Sequence, residues 1–245
     1  MKIVFVGDVH GKTDQYQKKL RQKYKGQRTF QLGDMGFGFP GTPGLHKDIM
    51  ESGDHKWIRG NHDDPDACRS KIGYAGDYGY WPDDRLFFLG GAYSIDKMWR
   101  VPGRSWWAGE ELSYTELQAA IDLYKEVKPK YVATHEAPSD AGKYMLMQLM
   151  VGFRADKLEC SMSRTAEALQ VMFDFYRPQE WVFGHYHADK SFDWNGTKFT
   201  CVNELSCYTI SDEPFLAPLS NAGKTVDGIT YVIPEGTSIR IIDNE

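Results

Sequence analysis

Cysteine is scarce, basic residues do not outnumber acidic ones, and no long apolar run occurs anywhere in these 245 residues. The four cysteines, Cys68, Cys160, Cys201 and Cys207, lack Cys-x-x-Cys spacing and are too sparse for a disulfide framework. They read as cytosolic structural thiols. No apolar stretch approaches the ~18 residues of a spanning helix, and the mean hydropathy is −0.53, which excludes an integral membrane protein. Lys plus Arg is 29 against Asp plus Glu 34, a net charge of −5, so nothing draws the whole chain to a polyanion. The apolar stretch Ile3–Val6 is too short for the core of a secretory signal, and the expectation is a cytoplasmic protein. Abrupt shifts of composition, repeats and Ser/Gly linkers are also missing, so residues 1–245 are expected to form a single domain.

What is present is an alternation of periods. Short apolar runs of strand length recur at Ile3–Val6, Phe30–Leu32, Trp57–Ile58, Leu86–Leu89, Tyr131–Ala133 and Trp181–Phe183. Between them, Tyr16, Leu20 and Tyr24 share one face of a helix after Gly11, and the flanking lysines and arginine read as its solvated side. The capping-box pattern Ser113-Tyr-Thr-Glu116 opens a second helix running to about Val127, and a third is expected from Thr165 to Phe175. Met145, Met147, Met150 and Met162 lie between these helices, as core or as a flexible apolar lid. Beyond Phe183, Asn195-Gly196 predicts a type I′ hairpin joining Ser191–Trp194 to Lys198–Val202. A further hairpin is expected over 228–243 around Pro234-Glu235-Gly236, making the last third mostly antiparallel β.

Five of the apolar runs are followed within a residue or so by clusters of potential metal ligands: Gly7-Asp8-Val9-His10, Gly33-Asp34, Gly60-Asn61-His62-Asp63, Thr134-His135 and Gly184-His185-Tyr186-His187. Each cluster alone is a weak signal, but together they hold five of the seven histidines, leaving His46 and His55 as surface or loop residues. Ligands in α/β sheets bind outside the carboxyl ends of the strands, so five strands would deliver these side chains to one rim.

The order Asp-x-His, Gly-Asp, Gly-Asn-His-Asp, Thr-His, Gly-His-x-His resembles the calcineurin-like metallophosphoesterase superfamily from Asp8 to His187. The stretches Gly90–Asp96, Trp106-Trp107, Glu110–Ser113 and Thr134–Pro138 are similar to a bacterial and bacteriophage group of that superfamily. The resemblance implies an α/β fold, a four-layer α/β/β/α sandwich of two mixed β-sheets flanked by helices. It also implies two divalent transition-metal ions. Asp8, His10 and His187 would hold one, Asn61, His135 and His185 the other, and Asp34 would bridge them. Carboxylate, amide and imidazole donors suit Mn²⁺ first, with Fe, Zn²⁺, Ni²⁺ or Co²⁺ as alternatives. Phe37 occupies the place where the superfamily usually carries a second acid, which puts the support of the bridge in question.

Two divalent ions against Asp8 and Asp34 leave a positive site suited to a phosphate ester, hydrolysed by in-line attack of a metal-bridging hydroxide. By the same resemblance His62 is the general acid and Asp63 holds its ring. Arg59, Arg100 and Arg104 are candidate substrate contacts, each with an ordinary ion pair as its alternative. Trp106 and Trp107 wall the pocket or fill the core, and the glycine-rich loop Met35–Gly44 is a candidate substrate rim. The expected activity is phosphomonoesterase or phosphodiesterase. The alternatives are a metal-dependent nuclease, disfavoured by the lack of a basic and aromatic stripe, and a catalytically silent metal-binding scaffold. Nucleic acid enters only as a substrate, and the sequence names no protein partner.

Overall fold

The computed structural model describes residues 2–149, 163–210, 225–226 and 229–230. Three parallel strands, β1 (Val4–Val6), β2 (Arg28–Gln31) and β3 (Asp54–Trp57), pair in sequence order, and β10 (Cys207–Thr209) closes this sheet antiparallel to β1. The second sheet has six strands in the order β4 (Tyr78–Trp81), β5 (Leu86–Leu89), β6 (Tyr131–Thr134), β7 (Glu180–Phe183), β9 (Thr197–Cys201) and β8 (Lys190–Trp194). Strands β5, β6, β7 and β9 run parallel, with β4 and β8 antiparallel at the two edges.

Side-chain alternation along the strands sorts the core into three layers. Phe5, Phe30, Leu86, Phe88, Tyr131, Ala133 and Val182 point between the two sheets and form one cluster. The next residues along, Val4, Val6 and Trp57, turn to the other face of the first sheet and meet Tyr16 and Leu20 of α1 (Thr13–Lys23), Ile49 and Met50 of α2 (Lys47–Met50) and Cys68 of α3 (Pro65–Arg69). On the outer face of the second sheet, Phe87, Leu89, Val132, Trp181 and Phe183 pack against α4 (Tyr114–Val127), α5 (Ser139–Leu149) and α6 (Arg164–Phe175). Each buried large apolar side chain contributes roughly 1.5–3 kcal/mol, which is why the alternation dictates the stacking. The result is the four-layer α/β/β/α arrangement.

The helix signals in the sequence correspond to elements. Ser113 caps α4 and Glu116 returns the bond, and Ser163 caps α6 through the Ala166 N–H. Asn195 (φ 50°) and Gly196 (φ 85°) turn the β8–β9 hairpin through the left-handed region that a type I′ turn requires.

Several expectations need correction. In the last third, expected to be mostly antiparallel, the described strands keep that pattern except that β9 pairs parallel with β7. His55 is not a loop residue: it is buried on β3 beside Thr29 of β2, with Nδ1 3.0 Å from the Thr29 hydroxyl. Residues 139–149 form a helix with Met145 in the core, while Met150, Met162 and Cys160 lie outside the described residues. Of the hairpin expected over 228–243, only Ile229–Thr230 is described, paired antiparallel with Thr225–Val226; its Pro234 turn lies outside them. Among the described residues no helix is long and apolar enough to cross a membrane.

Candidate metal centre

The parallel strands of both sheets end at the same rim, and the loops leaving β1, β2, β3, β6 and β7 carry the chemistry. Asp8, His10, Asp34 and His187 bring one ligand atom each to within 4.8 Å of one another. His187 Nε2 lies 3.1 Å from Asp8 Oδ2 and 2.9 Å from His10 Nε2, and His10 Nε2 is 3.6 Å from Asp34 Oδ2. On the other side of Asp34, His135 Nε2 stands 3.3 Å from Oδ1 and 3.0 Å from the Asn61 side-chain oxygen. The His185 ring lies edge-on to His135 at 5.0 Å, with Nε2 3.6 Å from Glu136. All seven residues expected to hold metal therefore line one rim, with Asp34 in the middle.

Local backbone makes this convergence possible. His10, Asp34, His185 and His187 adopt positive φ of 47° to 67°, so each chain reverses at the rim and returns its side chain over the strand ends. Glycine is required where backbone meets ligand. A Cβ on Gly60 would collide with the Asp34 carboxylate, and one on Gly184 with that of Asp8.

The electrostatics suit a cation. Asp8 and Asp34 are fully buried, and among the described residues neither pairs with a lysine or arginine; their only counter-charges are imidazoles. Burial alone would raise Asp34, but His135, His62 and His10 outweigh it and hold the carboxyl well below the usual range. Burial likewise opposes charge on His135, yet Asp34 and Asp8 raise that ring to about 10. Two buried carboxylates so close together call for compensating positive charge, which a divalent ion would supply. His135 also has the arrangement of a metal-ligating histidine, Nδ1 donating to the Leu32 carbonyl at 2.7 Å and Nε2 facing the cluster. The residues present fit divalent ions.

His62 projects over the cluster, its backbone N–H donating to Asp34 Oδ1 at 2.7 Å. Its ring partner differs from the expectation. The Asp63 carboxylate is buried and accepts four backbone N–H groups, from Met35, Gly36, Phe37 and Gly60, so it staples the loop after Asp34 rather than holding the His62 ring. Burial, then the Asp34 charge, push Asp63 up to about 6 against the pull of those donors. That staple supplies the support that Phe37 lacks; the Phe37 ring is itself buried against Trp57 at 5.1 Å. The His62 ring instead faces Arg100, whose Nη2 lies 2.6 Å from Nε2 and whose Nη1 lies 3.2 Å from Nδ1. Asp96 holds Arg100 with contacts of 2.6 and 2.9 Å.

The three arginines separate. Arg100 lines the cavity beside the cluster. Arg59 does not reach it: the side chain is buried, with Nε 2.5 Å from Asp77 Oδ1 and Nη1 donating to the Glu110 carbonyl at 2.7 Å. A guanidinium buried on a carboxylate is already neutralised and has nothing left for a phosphate. Arg104 is exposed and lines neither cavity at the rim, its strap having turned it to solvent.

Two further groups escape a reading by strand ends. Glu110 accepts the Ser94 hydroxyl at 2.5 Å and the Ser94 N–H at 3.1 Å, and the Ser94 oxygen accepts Asn61 Nδ2 at 3.0 Å. This buried chain turns the Asn61 carbonyl oxygen toward His135 and Asp34. Glu136 accepts the Tyr186 hydroxyl at 2.6 Å beside His185. Their stretches, Gly90–Asp96, Glu110–Ser113 and Thr134–Pro138, stood out in the sequence only through resemblance.

A cavity of about 360 Å³ opens on the Asn61, His185 and Arg100 side, walled by Tyr93, Ile95, Leu146 and Tyr186. A second, also about 360 Å³, lies toward His10, and the loop expected as a rim forms it through Gly36, Phe39, Pro40, Gly41 and Thr42. Phe39 stacks over His62 at 6.0 Å and meets Trp107 edge-on at 5.2 Å, so Trp107 backs that wall.

Among solved structures the chain is similar to TT1561 of Thermus thermophilus, at 10% identity over 84% of this chain and 90% of that one, TM-score 0.47. It is also similar to the phosphopantetheinyl hydrolase PptH from Mycobacterium tuberculosis, at 12% identity over 89% and 98%, TM-score 0.45. A third is GAP50, the anchor in the inner membrane complex of Plasmodium, at 8% identity over 83% and 71%, TM-score 0.41. No curated protein matches the sequence. Residues 1–189, which carry every one of the converging side chains, match the family model described as calcineurin-like phosphoesterase. The chain belongs to the calcineurin-like phosphoesterase family.

Proposed function

We propose that this protein hydrolyses phosphate esters with two divalent ions, Mn²⁺ foremost, held by Asp8, His10 and His187 on one side and Asn61, His135 and His185 on the other, with Asp34 shared. The observation that carries the reading is the pair of buried carboxylates whose only counter-charges among the described residues are imidazoles, with His62 and Arg100 poised over them. Bound ions would supply positive charge for the phosphoryl oxygens and acidify water at the centre.

The chain's own residues do the rest. Arg100 is donor-only, so the His62 nitrogen it bonds must present a lone pair. An incoming phosphate, a better acceptor, draws the guanidinium from His62 to its own oxygens and frees the ring. Freed of the guanidinium, the ring, which burial keeps neutral at rest, takes up one proton from solvent and gives it to the ester oxygen as the bond from phosphorus to the alcohol breaks; the oxygen of water adds to phosphorus on the opposite side and its proton passes to solvent, so the ring ends neutral. Asp96 keeps Arg100 at the cavity mouth throughout.

The test is metal-dependent hydrolysis of p-nitrophenyl phosphate beside bis-p-nitrophenyl phosphate, with chelator controls. Preference for the monoester marks a phosphatase and preference for the diester a phosphodiesterase. Asp34→Asn should weaken binding of both ions, whereas His62→Ala should keep them and lose roughly 10²- to 10⁴-fold in turnover of alkyl esters. Full activity of His62→Ala on an alkyl phosphate would end the general-acid assignment.

A further inference from the structure

The lining of the cavity beside the ion cluster is of two kinds. Asp34, Asn61, His62, Arg100, His185 and His187 offer charge and polar atoms for a phosphoryl group, and Tyr93, Ile95, Leu146 and Ala166 add apolar surface to the same cavity. About 360 Å³ holds roughly a dozen waters at about 30 Å³ each, so a phosphoryl group fills only part of it.

Several of the polar lining groups are already engaged within the protein. Glu136 accepts the Tyr186 hydroxyl and the Ala137 N–H; Ser163 donates to Glu111 and accepts the Ala166 N–H; Asp96 is held by Arg100. A sugar or polyol placed there would find few free partners, and its own hydroxyls would lose water without replacement.

The apolar character continues outward. Ile95 is 84% exposed, Met98 86%, Trp99 84% and Val101 55%, so four of the eight exposed large apolar side chains among the described residues fall within seven consecutive positions. A fifth, Met147, follows Leu146 of the cavity wall. This strap is well anchored: Ser94 is bonded to Glu110, Arg100 to Asp96 and the Ser105 carbonyl, and the Val101 N–H to the Ser105 hydroxyl. Asp96 and Arg100 of the strap line the cavity, while its large apolar side chains are left in water. An anchored apolar surface of this kind marks a binding region.

We propose that the alcohol portion of the substrate is a large apolar group, seated against Tyr93, Ile95 and Leu146 while the phosphate faces His62 and Arg100. The inference rests on the phosphoesterase reading above. Its test is kcat/KM of the Mn²⁺-loaded protein for ethyl, n-hexyl and benzyl phosphates, whose leaving alcohols are similarly basic, together with calorimetric binding of ethyl- and benzylphosphonate, which cannot be hydrolysed. Hexyl and benzyl esters should exceed ethyl by about tenfold or more, chiefly through KM, and benzylphosphonate should bind correspondingly tighter. Ile95→Ser and Leu146→Ser should each lower the benzyl-to-ethyl ratio several-fold, while Val171→Ser, on the exposed side of α6, should not. Equal kcat/KM across the series, or a ratio indifferent to both cavity variants, overturns the proposal. Benzylphosphonate preference without turnover of any ester would instead sink the phosphoesterase reading and leave the apolar seat standing.

Discussion

Ser94→Ala removes one oxygen that touches no candidate ion ligand except through Asn61. Two hydrogen bonds disappear, the 3.0 Å bond from Asn61 Nδ2 and the 2.5 Å bond to Glu110, and the buried amide is left without the partner that sets its orientation. A buried donor stranded in this way costs about 1–3 kcal/mol, and about 2 kcal/mol lowers Tm by roughly 4–8 °C in a chain of this size. Glu110 keeps the Ser94 N–H, and burial already pushes its pKa up, so it can take a proton and add little to the penalty. The larger effect falls on the ion held by Asn61, His135 and His185. Loss of a partner that orients a ligand typically costs 10- to 100-fold in metal affinity, so one of two Mn²⁺ sites should weaken by about that factor and the other hold. Calorimetric titration of metal-free protein with Mn²⁺ reads the two sites separately, and Ser94→Thr, which keeps the hydroxyl, should restore the weaker one. An isotherm identical to that of the original protein would refute the idea that Ser94 orients Asn61.

Arg59→Leu should act as a stability variant: it leaves Asp77 without its counter-charge, held among the described residues by the Tyr74 hydroxyl alone, strands the Glu110 carbonyl, costs about 3 kcal/mol in thermal unfolding, and leaves KM for the ester unchanged, whereas a raised KM at unaltered Tm would return Arg59 to the substrate. His55 is held neutral by burial, its pKa depressed although Asp54 opposes the shift, and Nε2 has no hydrogen-bond partner among the described residues. The unfolded chain therefore binds the extra proton first, and stability falls as pH drops below the ordinary histidine value of about 6.5; Tm measured from pH 7.5 to 5.5 should decline less steeply in His55→Asn, and equal slopes would show that His55 plays no part.

The sequence announced its site where chemistry and backbone coincide. A short apolar run, a glycine and then Asp, Asn or His form a local pattern, and Asp8, Asp34, Asn61, His135, His185 and His187 were legible because a parallel strand puts its C-terminal neighbour on the rim whatever else the chain does. The same holds for α4, whose start is written in Ser113 and Glu116. Partnerships across the chain left no such trace. Arg59 looked free because Asp77 lies beyond α3 and Glu110 beyond β5, and Asp63 looked like a partner for His62 because adjacency in sequence hides that its carboxylate turns back to the loop after Asp34. His55 sits among polar residues on an edge strand, so its burial depends on Thr29 and the covering helices rather than on its neighbours in sequence. Strands β4 and β10 are half-buried or exposed edges whose pairing is decided by β5 and β1.

Of the eight non-glycine residues with left-handed backbone among the described residues, His10, Asp34, His185 and His187 belong to the rim. At roughly 1 kcal/mol each, these four positions store on the order of 4 kcal/mol, a sizeable fraction of the roughly 5–15 kcal/mol that holds a domain folded. Glycine at His10, His185 or His187 would relieve part of that burden while removing a candidate ion ligand. Selection or engineering for heat resistance alone would therefore tend to dismantle this centre first, and a thermally hardened variant that keeps its activity must have drawn its gains from elsewhere in the fold.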